Sequence, residues 1–403
     1  MRHRVVVTGM GVVTPIGLDV RTFRDRLWSG VSGVGPITLF DPAALPTRIA
    51  AEVRWPGPLP RDRKIAFALE AARQALEDAG ACGSRPRGDG GVSLGVGLEL
   101  FSMEDVAAAR AETLPPTRAE RLTFLQTPSD LCVHAIAHRY ALPAPPLTHV
   151  SACAAGTDAI GAAFRLVADG RRRFMVAGGT DSMINPLGVG GFCRIGATST
   201  ANAVPARASR PFDRARDGFV LGEGAALVVL ERRDDARERG ATVYAEIAGY
   251  GNAFDAHGIS EPHPEGRGAY QAMARALADA GVSADVVDCV NAHGTSTPKN
   301  DPVETQALKR LLGERAYRVP VCATKSMIGH LISAAGAVEA VAAILGLREG
   351  IAHPTLNLDD PDPACDLDYV PHKARRHPQR YVLSSSFAFG GQNAALLLRH
   401  ADA

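Results

Sequence analysis

The 403-residue chain reads as an α/β protein, and three features predict it. Short apolar, strand-like runs alternate with Ala-rich helical runs, the pattern of mostly covered sheets. The hydrophobic content of 46% is enough for a large core, and the length suggests two or more domain-sized units. A helix-to-strand unit also recurs half the chain later.

The elements follow in order. MRHRVVVTGMGVVTPIG opens with basic then apolar residues, as a leader would. Its apolar part is β-branched, broken by Gly9, Gly11, Pro15 and Gly17, and lacks a small-residue cleavage pattern. It therefore reads as a strand, Val5–Thr8, and its following loop. Helix Ile65–Ala79, strand Val92–Val96, strand Thr148–Val150, helix Ala154–Asp169 and strands Phe174–Ala177 and Ala226–Glu231 come next. The second half holds helix Tyr270–Ala280, strand Val286–Asn291, helix Val303–Leu312, strand Val319–Ala323, helix Ala334–Leu347 and strand Tyr381–Ser385. Proline-containing stretches at 56–60, 143–146 and 361–363 are loops, and no segment resembles a flexible linker.

The recurrence starts at Ala75-Leu76-Glu77-Asp78-Ala79-Gly80, which returns as Ala276-Leu277-Ala278-Asp279-Ala280-Gly281. Each copy leads into a strand ending near glycine, GVSLGVG at 91 and DCVNAHG at 288. Later in each half, a helix starting near 154 or 334 precedes a strand running into Gly-Gly, at 178–179 and 390–391. Ala-rich helices ending in glycine are common, because glycine suits a left-handed cap. Three matching pairs in one order favour duplication of an α/β unit over chance.

The formal net charge of +1 supplies no global field for nucleic acid or an anionic membrane. Seven cysteines, an odd count without a CxxC pair, argue against a disulfide framework or structural zinc and for a reducing compartment. The most apolar helical stretch, Ala334–Leu347, carries Glu339 and is too short to cross a bilayer. The expectation is a soluble cytoplasmic protein.

Four segments could carry chemistry. In LTHVSACAAGTDAIGAAFRLVADG, from 147, a short strand meets a turn of small residues and then a helix with Cys153 at its start. Helix N-terminal N–H groups favour a thiolate and so lower the thiol pKa. Ala152, Ala154, Ala155 and Gly156 leave room for a thioester at the sulfur. Cys82, Cys132, Cys193, Cys289, Cys322 and Cys365 lack this setting and read as ordinary buried cysteines.

In VNAHGTSTPKNDPVE, from 290, an apolar strand ends in His293, facing the crevice at a sheet's C-terminal end. Thr295 and Thr297 could hold an amide-bearing substrate arm, although an ordinary loop histidine explains His293 equally well. TKSMIGHLISAAG, from 324, sets Lys325 and His330 among small residues before a second Ala-rich helix. A lysine near an apolar floor needs a neutralising carboxylate, for which Glu304 is the candidate; a plain surface charge is the alternative. In SSSFAFGGQN, from 384, a strand runs into two phenylalanines and Gly-Gly, suited to N–H donors and a hinged loop. On spacing alone, Phe387 is a core residue.

Weaker signals remain. TGMGVVTPIG hints at dinucleotide binding, but the third glycine of the fingerprint is absent and Pro15 stands in the turn. His134 and His138 lack the glutamate of a zinc-protease helix. Arg171–Arg173 reads as a solvated loop.

With Cys153, His293 and His330 together, the sequence resembles the β-ketoacyl-[acyl-carrier-protein] synthase family, in its elongating branch. The resemblance runs from VVVTGMGVVTPIG through RPFDRARDGFVLGEGAA to SSFAFGGQN. It implies a thiolase-like fold: a duplicated α/β unit in a five-layered αβαβα arrangement, usually dimeric. The halves would be 1–240, with the nucleophile Cys153, and 241–403, with His293 and His330.

The resemblance also implies roles. Cys153 would take an acyl chain, with the N–H groups of Cys153 and Phe389 holding the oxyanion. His293 and His330 would bind a malonyl thioester and stabilise the enolate left by decarboxylation. Lys325, paired with Glu304 and with Asp301 in support, would set the field around the histidines. Thr295 and Thr297 would contact the pantetheine arm, while Phe389, with Gly390 and Gly391, would gate the acyl pocket. No bound cofactor or metal is implied, since substrates ride on the phosphopantetheine of an acyl carrier protein. Arg61, Arg63, Lys64 and Arg194 are candidates for docking that acidic carrier.

The chain departs from the family pattern in places. The gate reads Ala388-Phe389-Gly390-Gly391 rather than Gly-Phe-Gly-Gly. Gly97-Leu98-Glu99-Leu100 replaces a glycine-rich turn, ALPAPP at 141 replaces a Gly-Arg-Gly-Pro-like segment, and Gly196 stands where an arginine is common. These point to a specialised polyketide or polyene pathway rather than housekeeping fatty-acid elongation. Two other classes compete. A non-catalytic, chain-length-factor-like subunit generally lacks the nucleophile, which this chain keeps. A degradative thiolase needs a second catalytic cysteine near the C-terminus, and 384–393 has none.

Overall fold

The computed structural model describes residues 2–59, 62–80, 89–97, 107, 111 and 129–403. Its main sheet is built from β1 (Val5–Val13), β2 (Gly91–Val96), β3 (Leu147–His149), β4 (Phe174–Asp181) and β5 (Gly224–Arg232), followed by β6 (Ala245–Phe254), β7 (Cys289–Asn291), β8 (Val321–Cys322), β9 (Tyr381–Phe387) and β10 (Gln392–His400). Their order is β8-β7-β9-β10-β6-β1-β5-β4-β2-β3. The two halves are the same motif twice. In each, the second strand pairs in parallel with the third and fourth, and the fifth pairs antiparallel with the fourth and first. Within this sheet, among the described residues, the short antiparallel contact of β1 with β6 over Val5–Val7 joins them.

The helices complete the layers. The longer ones among the described residues are α1 (Val20–Trp28), α2 (Arg63–Asp78), α3 (Leu131–Arg139), α4 (Ala155–Ala168), α5 (Pro186–Arg194), α6 (Arg267–Ala280), α7 (Asn300–Leu312) and α8 (Ala335–Glu349). Helices α4 and α8 pack on each other and on strands of both halves, while α2 and α6 cover the outer faces. That is the expected five-layered α/β arrangement. Every residue of α8 from Ala335 to Leu347 is buried, which explains a helix apolar on all sides. No helix among the described residues is long and apolar enough to cross a membrane.

The duplication extends to atomic contacts. A Cβ on Gly9 would lie 2.1 Å from the carbonyl oxygen of Ala75, and one on Gly249 would lie 2.1 Å from that of Ala276. Gly11 and Gly251 stand in the same relation to Ala71 and Ala272. In each half a helix thus lies directly on the backbone of a first strand. The acid of each helix then caps a strand N–H, Asp78 accepting from Met10 at 3.0 Å and Asp279 from Tyr250 at 3.1 Å. The glycines of TGMG are spent on this packing, which leaves no space there for a dinucleotide.

Two strands of this sheet went unpredicted. In β6, Gly249, Gly251 and Asn252 interrupt the apolar run, and in β10 the opening Gln392-Asn393 reads as a turn. Two others are shorter than expected: Ala284–Val286 is a 3-10 turn before β7, and β8 keeps only Val321–Cys322.

Each central helix is entered through a strained elbow. Ala152 (φ 47°) precedes α4 and Ile332 (φ 46°) precedes α8, both non-glycine residues in the left-handed region. A 3-10 turn follows each, Ala152–Ala154 and Ile332–Ala334. Cys153 in the first half thus corresponds to Ser333 in the second.

Candidate active site

Cys153 sits one residue beyond its elbow, 3% exposed. Its own N–H and that of Phe389 face the sulfur, and Lys325 adds positive charge; all three favour the thiolate. Burial outweighs them and pushes the thiol up to about 11. The sequence expectation of a lowered thiol pKa is corrected accordingly.

His293 follows β7 and His330 follows the single helical turn Lys325–Ile328, so both come from the second half. Their rings lie 5.4 Å apart at 83°. The Cys153 sulfur and a ring nitrogen of each histidine all lie within 4.8 Å of one another. The N–H of Ile332 donates to Nδ1 of His330 at 3.1 Å. Lys325 Nζ reaches Nδ1 of His293 at 3.3 Å. A donor at each Nδ1 leaves the proton of a neutral ring on Nε2. Burial holds His293 and His330 well below the usual histidine range, and Lys325 adds to the effect. The cleft therefore contains two neutral N–H donors. A metal ion on these three residues would have to displace both protons beside a cationic lysine.

The counter-charge of Lys325 is Glu339, correcting the expected pairing with Glu304. The Lys325–Glu339 ion pair is 1% exposed on both sides, and the lysine also donates to the His293 carbonyl at 2.7 Å. Glu304 instead accepts the N–H groups of His293 and Gly294 at 2.7 and 2.8 Å, so it shapes the loop carrying His293. Asp301 is fully buried. It accepts from Phe212 N–H at 2.8 Å and fixes the start of α7. Glu339 was visible in the sequence as the single acid of the apolar stretch Ala334–Leu347, a sign of a buried partner.

Two cavities meet at Cys153. A cleft of about 260 Å³ runs past His293, His330, Thr295, Thr297 and Lys299 to the surface. The hydroxyls of Thr295 and Thr297 lie 2.9 Å apart on its wall. A second cavity, about 400 Å³, is walled by Val96, Val150, Met183, Phe192 and Ile332. Cys153 and Phe389 line both. Phe389 thus stands as a partition, beside Phe192 at 6.5 Å. Gly390 and Gly391 behind it both take φ 80°, which favours glycine. Ala388, at φ −122°, is ordinary extended backbone.

The basic candidates divide. Arg194 is exposed at the end of α5. Arg63 is held by Glu223 at 3.0 Å and by the Val53 carbonyl. Lys64 is buried against Asp62 at 2.9 Å and cannot meet a partner's surface, which corrects its assignment to docking. Arg61, Leu98, Glu99, Leu100 and Cys82 lie outside the described residues. Cys132, Cys289, Cys322 and Cys365 are buried, and Cys193 is half-buried. His134 is exposed beside Asp130. Sequence reasoning also missed Asp181 and Ser333, whose contact joins two segments far apart in the chain.

Family models described as "Beta-ketoacyl synthase, N-terminal domain" and "Beta-ketoacyl synthase, C-terminal domain" match residues 2–236 and 244–359. The 3-oxoacyl-[acyl-carrier-protein] synthase 2 of Coxiella burnetii is 43% identical over 98% of both chains. Among solved structures, a ketosynthase complex is similar with a TM-score of 0.90, 31% identity and full coverage of both chains. It is described as a type II PKS acyl-carrier protein in complex with its ketosynthase bound to the hexaketide. The ishigamide ketosynthase/chain length factor gives a TM-score of 0.86 and 34% identity, covering 99% of this chain and 100% of that one.

Proposed function

The chain belongs to the beta-ketoacyl synthase family, and on that premise we propose that its cleft performs a decarboxylative condensation with Cys153 as acyl carrier. The sulfur attacks an acyl thioester on the pantetheine arm of an acyl carrier protein. The carbonyl oxygen turns to the N–H groups of Cys153 and Phe389. The arm leaves as a thiol with the cysteine's proton, and the acyl group stays on sulfur. A malonyl thioester then places its carbonyl oxygen against the Nε2–H groups of His293 and His330. Its carboxylate departs as CO2, and the electron pair of the broken bond passes into the enolate held by those donors. The α-carbon attacks the acyl-Cys153 carbonyl, sulfur leaves as thiolate and regains a proton, and a 3-oxoacyl thioester two carbons longer is released.

The convergence of Cys153 with two neutral histidine donors carries this reading. Neutral rings keep an N–H to donate to the enolate oxygen, and Lys325 supplies fixed positive charge beside them. Thr295 and Thr297 would line the arm's path, and Phe389 would admit the chain to the second cavity. Arg194 is the exposed candidate for carrier docking among the described residues. Val150, 61% exposed, lines the second cavity beside edge strand β3. That favours completion of this wall by a second subunit, a copy or a relative. The Gly196 and Ala388 departures favour a specialised polyketide or polyene setting.

Intact-protein mass spectrometry tests the reading. Wild type and Cys153→Ala are incubated with acyl-carrier proteins of graded chain length, then with malonyl-carrier protein. Acylation of wild type alone, discharged to a 3-oxoacyl product, is expected. If no acyl group loads, even with a partner subunit present, the chain is a non-catalytic subunit.

A further inference from the structure

Ser333 is keyed into the first half of the molecule at three points. Its N–H donates to Asp181 at 3.1 Å and its hydroxyl donates to the same carboxylate oxygen. Its carbonyl occupies a slot that two glycines leave open: a Cβ on Gly179 would lie 2.4 Å from it, and one on Gly156 2.8 Å. Gly97 makes room for the acid, since a Cβ there would lie 2.4 Å from Asp181. Asp181 ends β4 and is 1% exposed, with its other oxygen accepting Ser182 N–H at 2.8 Å.

This contact bears on a strained residue. Ile332, directly before Ser333, is β-branched and holds φ 46°, a conformation costing about 1–2 kcal/mol. Its N–H, on the peptide between Leu331 and Ile332, reaches Nδ1 of His330 at 3.1 Å, so the anchors on either side of that span set its place. The His330 backbone is fixed separately, by Val220 and Gly222. Strain of this kind persists where neighbouring contacts over-determine it.

We propose that Asp181 is a positioning residue for His330: by clamping Ser333 it fixes the far end of the Leu331–Ile332 span, holds the Ile332 N–H on Nδ1 of His330 and so keeps the His330 proton on Nε2. The inference rests on the condensing-enzyme reading, because that proton is what a malonyl carbonyl would receive. The first elbow has its own clamp. Ser151 donates to Asp158 at 2.5 Å, and Asp158 also accepts from Tyr250 of the second half at 2.6 Å. Asp181 reaches Cys153 by its charge, which raises the thiol, so removing that charge does not slow loading.

The test separates the two half-reactions. Rapid-quench mass spectrometry follows acyl loading of Cys153, and then discharge of pre-acylated enzyme by malonyl-carrier protein. Asp181→Asn should slow discharge about tenfold to a hundredfold and leave loading as fast as in the wild type or faster. Ser333→Ala, which keeps the backbone N–H, should show the same split to a smaller degree and serves if the first variant does not fold. Equal losses in both steps, a loss in loading alone, or no change would overturn the assignment. Histidine ¹⁵N spectra give a readout free of turnover: His330 should be the Nε2–H tautomer in wild type and shift toward Nδ1–H in the variants. A wild type that loads no acyl group refutes the condensing reading, while unchanged ¹⁵N tautomers refute this inference on their own.

Discussion

Lys325 and Glu339 form an ion pair with each side chain 1% exposed, and the same ammonium touches the ring and carbonyl of His293. One buried cation thus answers to a helix of the central layer and to a loop of the cleft.

Burial pushes Glu339 up to about 7, so the pair is best measured near pH 8, where the carboxyl is ionised. There, Lys325→Met or Glu339→Gln alone should lower the unfolding free energy by about 3–5 kcal/mol, because each strands a buried group. Urea titration of the double variant should give a coupling of about 1–3 kcal/mol. A larger coupling between Lys325 and Glu304 would reassign the counter-charge.

Burial pushes the Cys153 thiol up to about 11. Alkylation by iodoacetamide should therefore climb about tenfold per pH unit from neutrality and keep climbing beyond pH 9. A plateau at or below pH 9 would show that Lys325 and the Phe389 N–H outweigh burial.

Gly9→Ala and Gly249→Ala should each destabilise by several kcal/mol, on the order of 3 or more, because the methyl meets helix backbone that cannot yield. Gly281→Ala, with φ 67° but open space around it, should cost about 1 kcal/mol. Denaturant midpoints decide this; equal effects at all three sites would mean that helix-on-strand contact does not set the difference.

Arg194→Glu should weaken acyl-carrier binding and flatten its salt dependence while leaving the melting temperature within a degree or two. Lys64→Glu should do the reverse in kind, unfolding the protein by setting a buried carboxylate against Asp62. Calorimetric titration at two ionic strengths checks the first and thermal melting the second. Unchanged affinity in Arg194→Glu would remove this residue from the docking face.

What could be read in advance follows from where a residue's partners lie in the chain. Cys153 and His293 announce themselves locally, by a strand, a turn of small residues and a helix start. The duplication showed in Ala75–Gly80 and Ala276–Gly281 because it leaves a repeated string. The partner of Lys325 did not show, since Glu304 and Glu339 are both acids in nearby helices and only the layered packing decides which one faces the ammonium. Strand β6 was hidden by Gly249 and Gly251, residues that weaken strand character yet are demanded by the helix on top. Lys64 looked like a surface base because nothing in the string reveals that Asp62 turns inward with it.

Two elbows of equal geometry end in different residues, Cys153 in one copy and Ser333 in the other. A doubled unit begins with two equivalent posts, and one nucleophile suffices for a single growing chain. The second post is released from attack and can change its side chain freely, provided the loop still fits. Here it is a hinge pin: Ser333, the counterpart of Cys153, is tied to Asp181 of the other half. Each half thus holds a turn of the other, Asp181 holding Ser333 and Tyr250 holding Asp158.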